Sequence, residues 1–203
     1  MSGEPGPRVA AVILAAGRST RMGRPKMALP WGDTTVIGQV VRVLTSAGIG
    51  EILVVTGAAR NEVRGALQSL PVKELYNPDY PQGEMLSSLQ VGLSALGDHL
   101  DAAFVVLGDQ PQIQARVVTA LVQEYASTDS PLVVPSFQMR RGHPWLLDRS
   151  LWPAVLALKG RETLRDFLNA NQASIRYVSV DTSTILQDMD TPGDYQKYRP
   201  ESP

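Results

Sequence analysis

Residues Val9 to Lys26 read V-A-A-V-I-L-A-A-G-R-S-T-R-M-G-R-P-K, an uninterrupted apolar run that breaks into a basic, glycine-punctuated stretch. This feature constrains the chain more than any other. The run lacks the spacing of an amphipathic helix and contains the β-branched Val9, Val12 and Ile13, which predicts a strand covered on both faces over Val9 to Ala15. At Gly17 the character changes within one residue. Glycines let a backbone turn sharply and approach a ligand closely, and successive backbone N–H groups in such a turn form an anion-binding concavity. Arg21 adds a planar fork of donors and Lys26 a compact charge on a flexible stem. The combination predicts a strand followed by a polyphosphate-binding loop, with a solvated basic turn as the plainer alternative.

The spacing excludes two familiar loops of this kind. A Walker loop needs lysine directly after its second glycine, whereas Gly23 is followed by Arg24, Pro25 and Lys26. A dinucleotide fingerprint needs a second glycine two residues after the first, whereas Ser19 stands there.

Further along, strands and helices alternate. Apolar spacing predicts helices over Val36 to Ala47, with Thr34 or Thr35 as its cap, and over Asn61 to Leu70, with the strand Glu51 to Thr56 between them. Val72 to Tyr76 reads as a strand, Asn77 to Gly83 as a loop, and the stretch from Met85 as a helix. Ala102 to Leu107 is a second interior strand, ending in Gly108-Asp109-Gln110-Pro111. A helix over Ala115 to Tyr125 and a strand over Leu132 to Pro135 come next, then a short strand pair over Phe137 to Met139 and Pro144 to Leu147. Helices over Leu151 to Leu158 and Thr163 to Ala170, a strand over Ile175 to Val180 and a closing helix from Thr191 complete the pattern. Such alternation predicts an α/β fold with a mostly parallel sheet. With 203 residues, one domain over 1–203 is expected, with 1–7 and 199–203 as flexible ends.

Composition narrows the function classes. Lys+Arg number 19 against Asp+Glu 20, a balance that argues against a nucleic-acid-binding surface. With no cysteine and only His99 and His143, thiol catalysis and zinc chemistry are poor fits. No stretch approaches the roughly 20 apolar residues of a membrane span, and the polar Met1 to Pro7 lacks a signal-peptide pattern. A cytoplasmic protein without membrane or nucleic-acid partners is expected.

Candidate chemistry collects at strand ends, where ligands bind in open α/β sheets. Asp109 stands at one such end, although aspartate also suits a turn. In Asp190-Thr191-Pro192-Gly193-Asp194, Thr191 is a natural N-cap and Asp194 its capping-box partner, which leaves Asp190 free. Asp188 competes with it for a metal role. Ser87 and Ser88 fit solvation or capping as well as a ligand site, and a lone histidine such as His143 is more often structural.

Leu14-Ala15-Ala16-Gly17, Arg21-Met22-Gly23 and Pro25-Lys26 resemble the signature of the nucleotidyltransferases related to the molybdenum cofactor guanylyl- and cytidylyltransferases. Asn77-Pro78, Gly83 and Ser87-Ser88-Leu89 resemble the stretch these enzymes place beside the nucleotide. Gly108-Asp109-Gln110-Pro111 and Asp190-Thr191-Pro192 resemble their two magnesium segments, and Gly142-His143-Pro144 a segment lining the acceptor side. The resemblance implies a three-layer αβα Rossmann-like nucleotidyltransferase fold. It also implies transfer of CMP from CTP to the phosphate of molybdopterin, with release of pyrophosphate.

Carried onto this sequence, the resemblance makes Arg21, Lys26 and Asp109 catalytic. It gives Leu14, Ala15, Ala16, Gly17, Arg21, Lys26, Asn77, Gly83, Ser87, Ser88 and Asp109 to the nucleotide, and His143 and Arg161 to the acceptor. Mg2+, with Mn2+ as a substitute, falls to Asp109 and Asp190. Ala16 points to cytidine, because guanylyl relatives carry glycine there, and a molybdoenzyme receiving the cofactor is an implied partner. The alternatives are GTP or another phosphorylated acceptor, or a non-catalytic nucleotide- or cofactor-binding delivery protein.

Overall fold

A computed structural model describes residues 6–128, 130–159 and 162–200. Its strands are β1 (Val9–Ala15), β2 (Pro30–Trp31), β3 (Thr34–Thr35), β4 (Glu51–Thr56), β5 (Lys73–Tyr76), β6 (Ala102–Leu107), β7 (Leu132–Phe137), β8 (Arg140–Arg141), β9 (Trp145–Asp148) and β10 (Ile175–Ser179). The helices are α1 (Val36–Ser46), α2 (Arg60–Leu67), α3 (Tyr80–Ser94), α4 (Ala115–Ser127), α5 (Trp152–Ala157), α6 (Leu164–Ala170) and α7 (Pro192–Tyr198).

The main sheet runs β10-β7-β9-β6-β1-β4-β5, with β8 paired to β7. The apolar run of β1 lies at its centre, parallel to β4 on one side and β6 on the other, so that Ile13 faces both Val54 and Val106. Residues alternate between the two faces along each strand. Ala11, Ile13, Val54, Phe104 and Val106 meet α1, α2 and α4 in one core, whereas Ala10, Val12, Val55 and Val105 meet α3, α5 and α6 in the other. These are the three layers of an αβα sandwich. Burial on both faces is the reason these strands read as continuous apolar runs rather than alternating ones.

Two expectations are corrected. The stretch Asn77 to Gly83 is not wholly a loop: α3 begins at Tyr80, and Gly83 lies within it. Pro81 signalled a break, yet proline is tolerated in the first turn, where its missing N–H has no intrahelical partner to lose. The expected strand pair near Arg140 is also rearranged. Phe137 belongs to β7, which turns back through Gln138 and Met139, both at positive φ, onto β8. Trp145 to Asp148 instead insert antiparallel between β6 and β7.

A third core joins Met22, Leu29, Trp31, Val36, Met189 and Tyr195. It fastens the loop after β1 to the C-terminal segment. Thr191 caps α7 in a reciprocal capping box with Asp194, as the spacing predicts. Among the described residues no helix is long and apolar enough to cross a membrane.

Candidate active site

The chain leaves β1 toward β4 and later returns on the other side of β1 as β6, so a crevice opens at the carboxyl ends of β1 and β6. The basic loop rises from one lip of it. Ser19 and Gly23 hold φ of 51° and 69°, and Met22 N and Gly23 N donate to Ser19 O at 3.0 and 3.2 Å. Buried Met22 anchors this tight turn, and Lys26 N then donates to Ser19 Oγ at 3.3 Å. The effect is to point Lys26 back into the crevice.

There the Lys26 ammonium lies 2.5 Å from Asp109 Oδ2 and 2.9 Å from Asp190 Oδ1, while Arg21 NH1 donates to Asp190 Oδ2 at 2.8 Å. Side-chain exposure falls from 73% at Arg21 to 34% at Asp190, 17% at Asp109 and 10% at Lys26, so the ion cluster is driest at the lysine. Burial opposes the charge on Lys26, but Asp109 and Asp190 outweigh it and hold its pKa above the ordinary lysine value.

Asp188 lines the same pocket. Burial raises its pKa, the neighbouring charges of Asp109 and Asp190 push the same way, and a hydrogen bond from Gln110 opposes them. The pocket, about 470 Å³, is completed by Leu14, Ala16, Gly17, Tyr80, Met85 and Ser88. Gly57 packs so closely behind it that a Cβ there would lie 2.6 Å from Ala16 O and 2.8 Å from Tyr80 Cβ.

Asn77 is fully buried and lines neither of the two site pockets. Its amide nitrogen donates to Ser87 Oγ at 2.8 Å and Ser88 Oγ at 3.0 Å, while its oxygen accepts from Asp79 N at 2.9 Å. It holds the start of α3 against the end of β5.

Beyond Met85 the pocket adjoins a cleft of about 1090 Å³. Ser87, Gln90, His143, Trp145, Leu164 and Asn169 line it, and Arg140, Arg141, Lys159 and Arg165 place cationic groups around it. His143 stacks on Trp145 with ring centroids 4.2 Å apart. Although the ring keeps some exposure to the cleft, desolvation by the surrounding protein lowers its pKa from 6.5 to about 4, against a weak contact with Val105 O. It is therefore a neutral aromatic surface near pH 7. Arg161 and Gly160 lie outside the described residues.

The family model for the MobA-like NTP transferase domain matches residues 11–175, from the middle of β1 to the start of β10. The chain belongs to the MobA-like NTP transferase domain family. It is an enzyme of the nucleotidyl-transferring type.

Among similar MobA-like proteins, nicotine blue oxidoreductase of Paenarthrobacter nicotinovorans is 30% identical over 91% of this chain and 93% of its own length. The molybdenum cofactor cytidylyltransferase of Escherichia coli K12 is 28% identical over 91% of this chain and 92% of its own. A crystal structure of the Mycobacterium tuberculosis H37Rv protein Rv0371c in complex with manganese is similar with a TM-score of 0.79 and 26% identity, covering 94% of this chain and 97% of that one.

MobA-like nucleotidyltransferases use divalent metals. The residues here fit one: two carboxylate oxygens from distant segments converge on a single cationic point, the Lys26 ammonium. Oxygen donors of this kind suit a hard cation that completes its shell with phosphate oxygens and water.

Tyr80, Met85, Trp145 and Gln90 are site-lining residues that sequence reasoning passed over. Tyr80 and Trp145 carried only a weak signal, as aromatics beside Pro-rich turns. Gln90 carried none.

Proposed function

We propose that this MobA-like chain transfers CMP from CTP to the phosphate of molybdopterin, in a Mg2+-dependent reaction that releases pyrophosphate. The observation that carries the reading is the Lys26–Asp109–Asp190 cluster, set at the strand ends in a nucleotide-sized pocket that meets a larger, cation-rimmed cleft at Met85. Ala16 at the pocket wall supports cytidine, and the E. coli cytidylyltransferase among its relatives supports the acceptor.

In the transfer, an oxygen of the acceptor phosphate forms a bond to the α-phosphorus of CTP. The bond from that phosphorus to the bridging oxygen breaks, and its electron pair leaves with pyrophosphate. A phosphate monoester has its second pKa near ~6 and is already ionised at neutral pH, so no strong general base is needed, in keeping with the low pKa of His143. Asp109 and Asp190 would hold Mg2+, which when bound supplies charge against the phosphate oxygens. Lys26 and Arg21 stabilise the charge that develops on the leaving pyrophosphate. The acceptor lies along His143 and Trp145, with the cationic rim facing its phosphate. A nucleoside triphosphate substrate fits a cytoplasmic setting.

The test is Mg2+-dependent pyrophosphate release with molybdenum-loaded molybdopterin, offering CTP, GTP, ATP and UTP separately. Release with CTP alone is expected. Release with another nucleotide overturns the cytidine assignment, and nucleotide binding without release overturns the acceptor.

A further inference from the structure

Gln90 lies on α3 three residues after Ser87, and both side chains line the larger cleft. Its Nε2 donates to Val155 O and to Leu158 O, each at 3.0 Å. Leu158 is the C-cap of α5, so Gln90 satisfies carbonyls at that helix end. Two consequences follow from the chemistry of an amide. A carboxamide nitrogen has two hydrogens, and both are committed, so the side chain has no donor left for a ligand. Since carbonyl oxygens accept only from the nitrogen, the amide cannot be turned over, and Oε1 is fixed as the outward group.

Among the described residues no donor bonds to Gln90 Oε1, and it is not among the sealed, unpartnered polar atoms of the interior. It is a positioned acceptor on the wall of a cleft whose aromatic pair, His143 and Trp145, offers flat apolar surface. The charged rim is cationic at Arg140, Arg141, Lys159 and Arg165 and acidic at Glu162. Arginine and lysine can take an anionic tail but donate only. Recognition of a ligand's own N–H therefore needs an acceptor, and a neutral one avoids repelling the ligand's phosphate.

We propose that Gln90 Oε1 is a specificity determinant of the acceptor cleft, accepting a hydrogen bond from the exocyclic amine of a flat nitrogen heterocycle. The inference rests on the proposal that this cleft receives the acceptor. It goes beyond that proposal in naming the atom that distinguishes an amino-bearing ring from its oxo counterpart. A ring with a carbonyl in place of the amine would set oxygen against oxygen, leaving both without a donor, and a site built around one hydrogen bond rejects such an analogue strongly.

The experiment is equilibrium binding of free pterin and of lumazine, its 2-oxo counterpart, to the full chain, with CTP binding measured in parallel. The wild type should favour pterin by on the order of tenfold or more. Gln90→Lys keeps a donor for Val155 O and Leu158 O but has no acceptor, and Gln90→Met removes both functions at similar size. Each variant should bring the preference within about twofold of unity and leave CTP affinity unchanged. Equal binding of the two rings by the wild type, or a preference that survives in a folded Gln90→Lys, overturns the assignment. Binding of neither ring beside normal CTP binding overturns it as well. Because the readout is binding of the ring alone, failure of CMP transfer in the turnover assay is a separate result.

Discussion

Gln110 donates from Nε2 to Asp188 Oδ1 at 2.7 Å, joining residues 78 positions apart in the chain. This bond, with Met189 N donating to Asp109 O at 3.2 Å, ties the segment carrying Asp109 to the segment carrying Asp190. Together with Lys26, which bonds both carboxylates, that tie sets the spacing of the two proposed metal ligands. Gln110 is 2% exposed, so Gln110→Leu leaves Asp188 without its donor in a confined place. The expected cost is about 1–3 kcal/mol of stability, read by denaturant unfolding, together with a higher Mg2+ concentration for half-maximal turnover. Unchanged metal dependence would show that Asp109 and Asp190 are held apart from this bond.

Asp109→Asn should keep the fold and abolish most metal-dependent turnover, because a neutral amide is a poorer ligand for a hard cation than a carboxylate. It also removes the nearest countercharge of Lys26, 2.5 Å away. Calorimetric titration with Mn2+ in the presence of nucleotide should show weakened metal binding. Full turnover in a folded variant would remove Asp109 from the metal site.

Lys26→Met separates two contributions of one side chain. Turnover should fall by on the order of 10²–10³, as when a preorganised charge donor is removed from a transition-state site. Stability should fall too, since Asp109 and Asp190 lose the cation they share. The pH dependence has a definite sign. The folded-state pKa of Lys26 is raised above 10.5, so its contribution is complete below the unfolded value and is lost as pH rises through the folded one. The stability gap between wild type and Lys26→Met should be flat across neutral pH and narrow in alkali above about 10.5.

The parts of this molecule that the sequence made legible are those whose physics is local. β1, β4 and β6 are covered on both faces, and a doubly covered strand has to be apolar at every position, so each was visible as a run. Thr191 and Asp194 announce a helix start because a capping box spans only four residues. Lys26 and Asp109 stood out by their place after strands, whereas Asp190, one residue before a cap, was separated from Asp188 only by the family resemblance; the structure brings the three together. What stayed hidden depends on partners far along the chain. The antiparallel seat of β9 between β6 and β7 follows from tertiary packing that four residues cannot encode. Gln110 and Gln90 look like ordinary polar residues until Asp188 and the carbonyls of Val155 and Leu158, 65 to 78 residues away, are placed beside them. Tyr80 was misread because Pro81 and Gly83 speak for a turn when seen alone, whereas the first turn of a helix admits both.

His143 should behave as a neutral ring throughout the physiological range. Its pKa is about 4 in the folded chain against 6.5 as the ordinary value. Between those values the unfolded chain takes up a proton that the folded one refuses, so stability is complete above about 6.5 and declines as pH falls toward 4. The decline is at most about 3 kcal/mol and should be smaller in His143→Gln, compared by chemical denaturation at pH 7.5 and 4.5. An NMR titration of the ring that finds an ordinary pKa would contradict this and reopen a cationic role toward the acceptor phosphate.

Gly57 allows the site to be tested without touching a charged residue. A methyl group there would stand 2.6 Å from Ala16 O and 2.8 Å from both Ala16 Cβ and Tyr80 Cβ, closer than real atoms approach, so the backbone on either side of the proposed nucleotide pocket must shift. Ala16 and Tyr80 both line that pocket, whereas neither lines the proposed acceptor cleft. Gly57→Ala should therefore raise the KM for CTP by about tenfold or more, as displacements of about an ångström do at positioned sites, while acceptor binding changes little. The atoms nearest a Cβ at Gly57 belong to Ala16 and Tyr80 and not to Lys26, Asp109 or Asp190, so metal affinity should follow the nucleotide rather than fall independently. Steady-state kinetics with each substrate varied in turn decides it. A KM rise confined to the acceptor would mean that CTP occupies the larger cleft and the two pockets have exchanged roles.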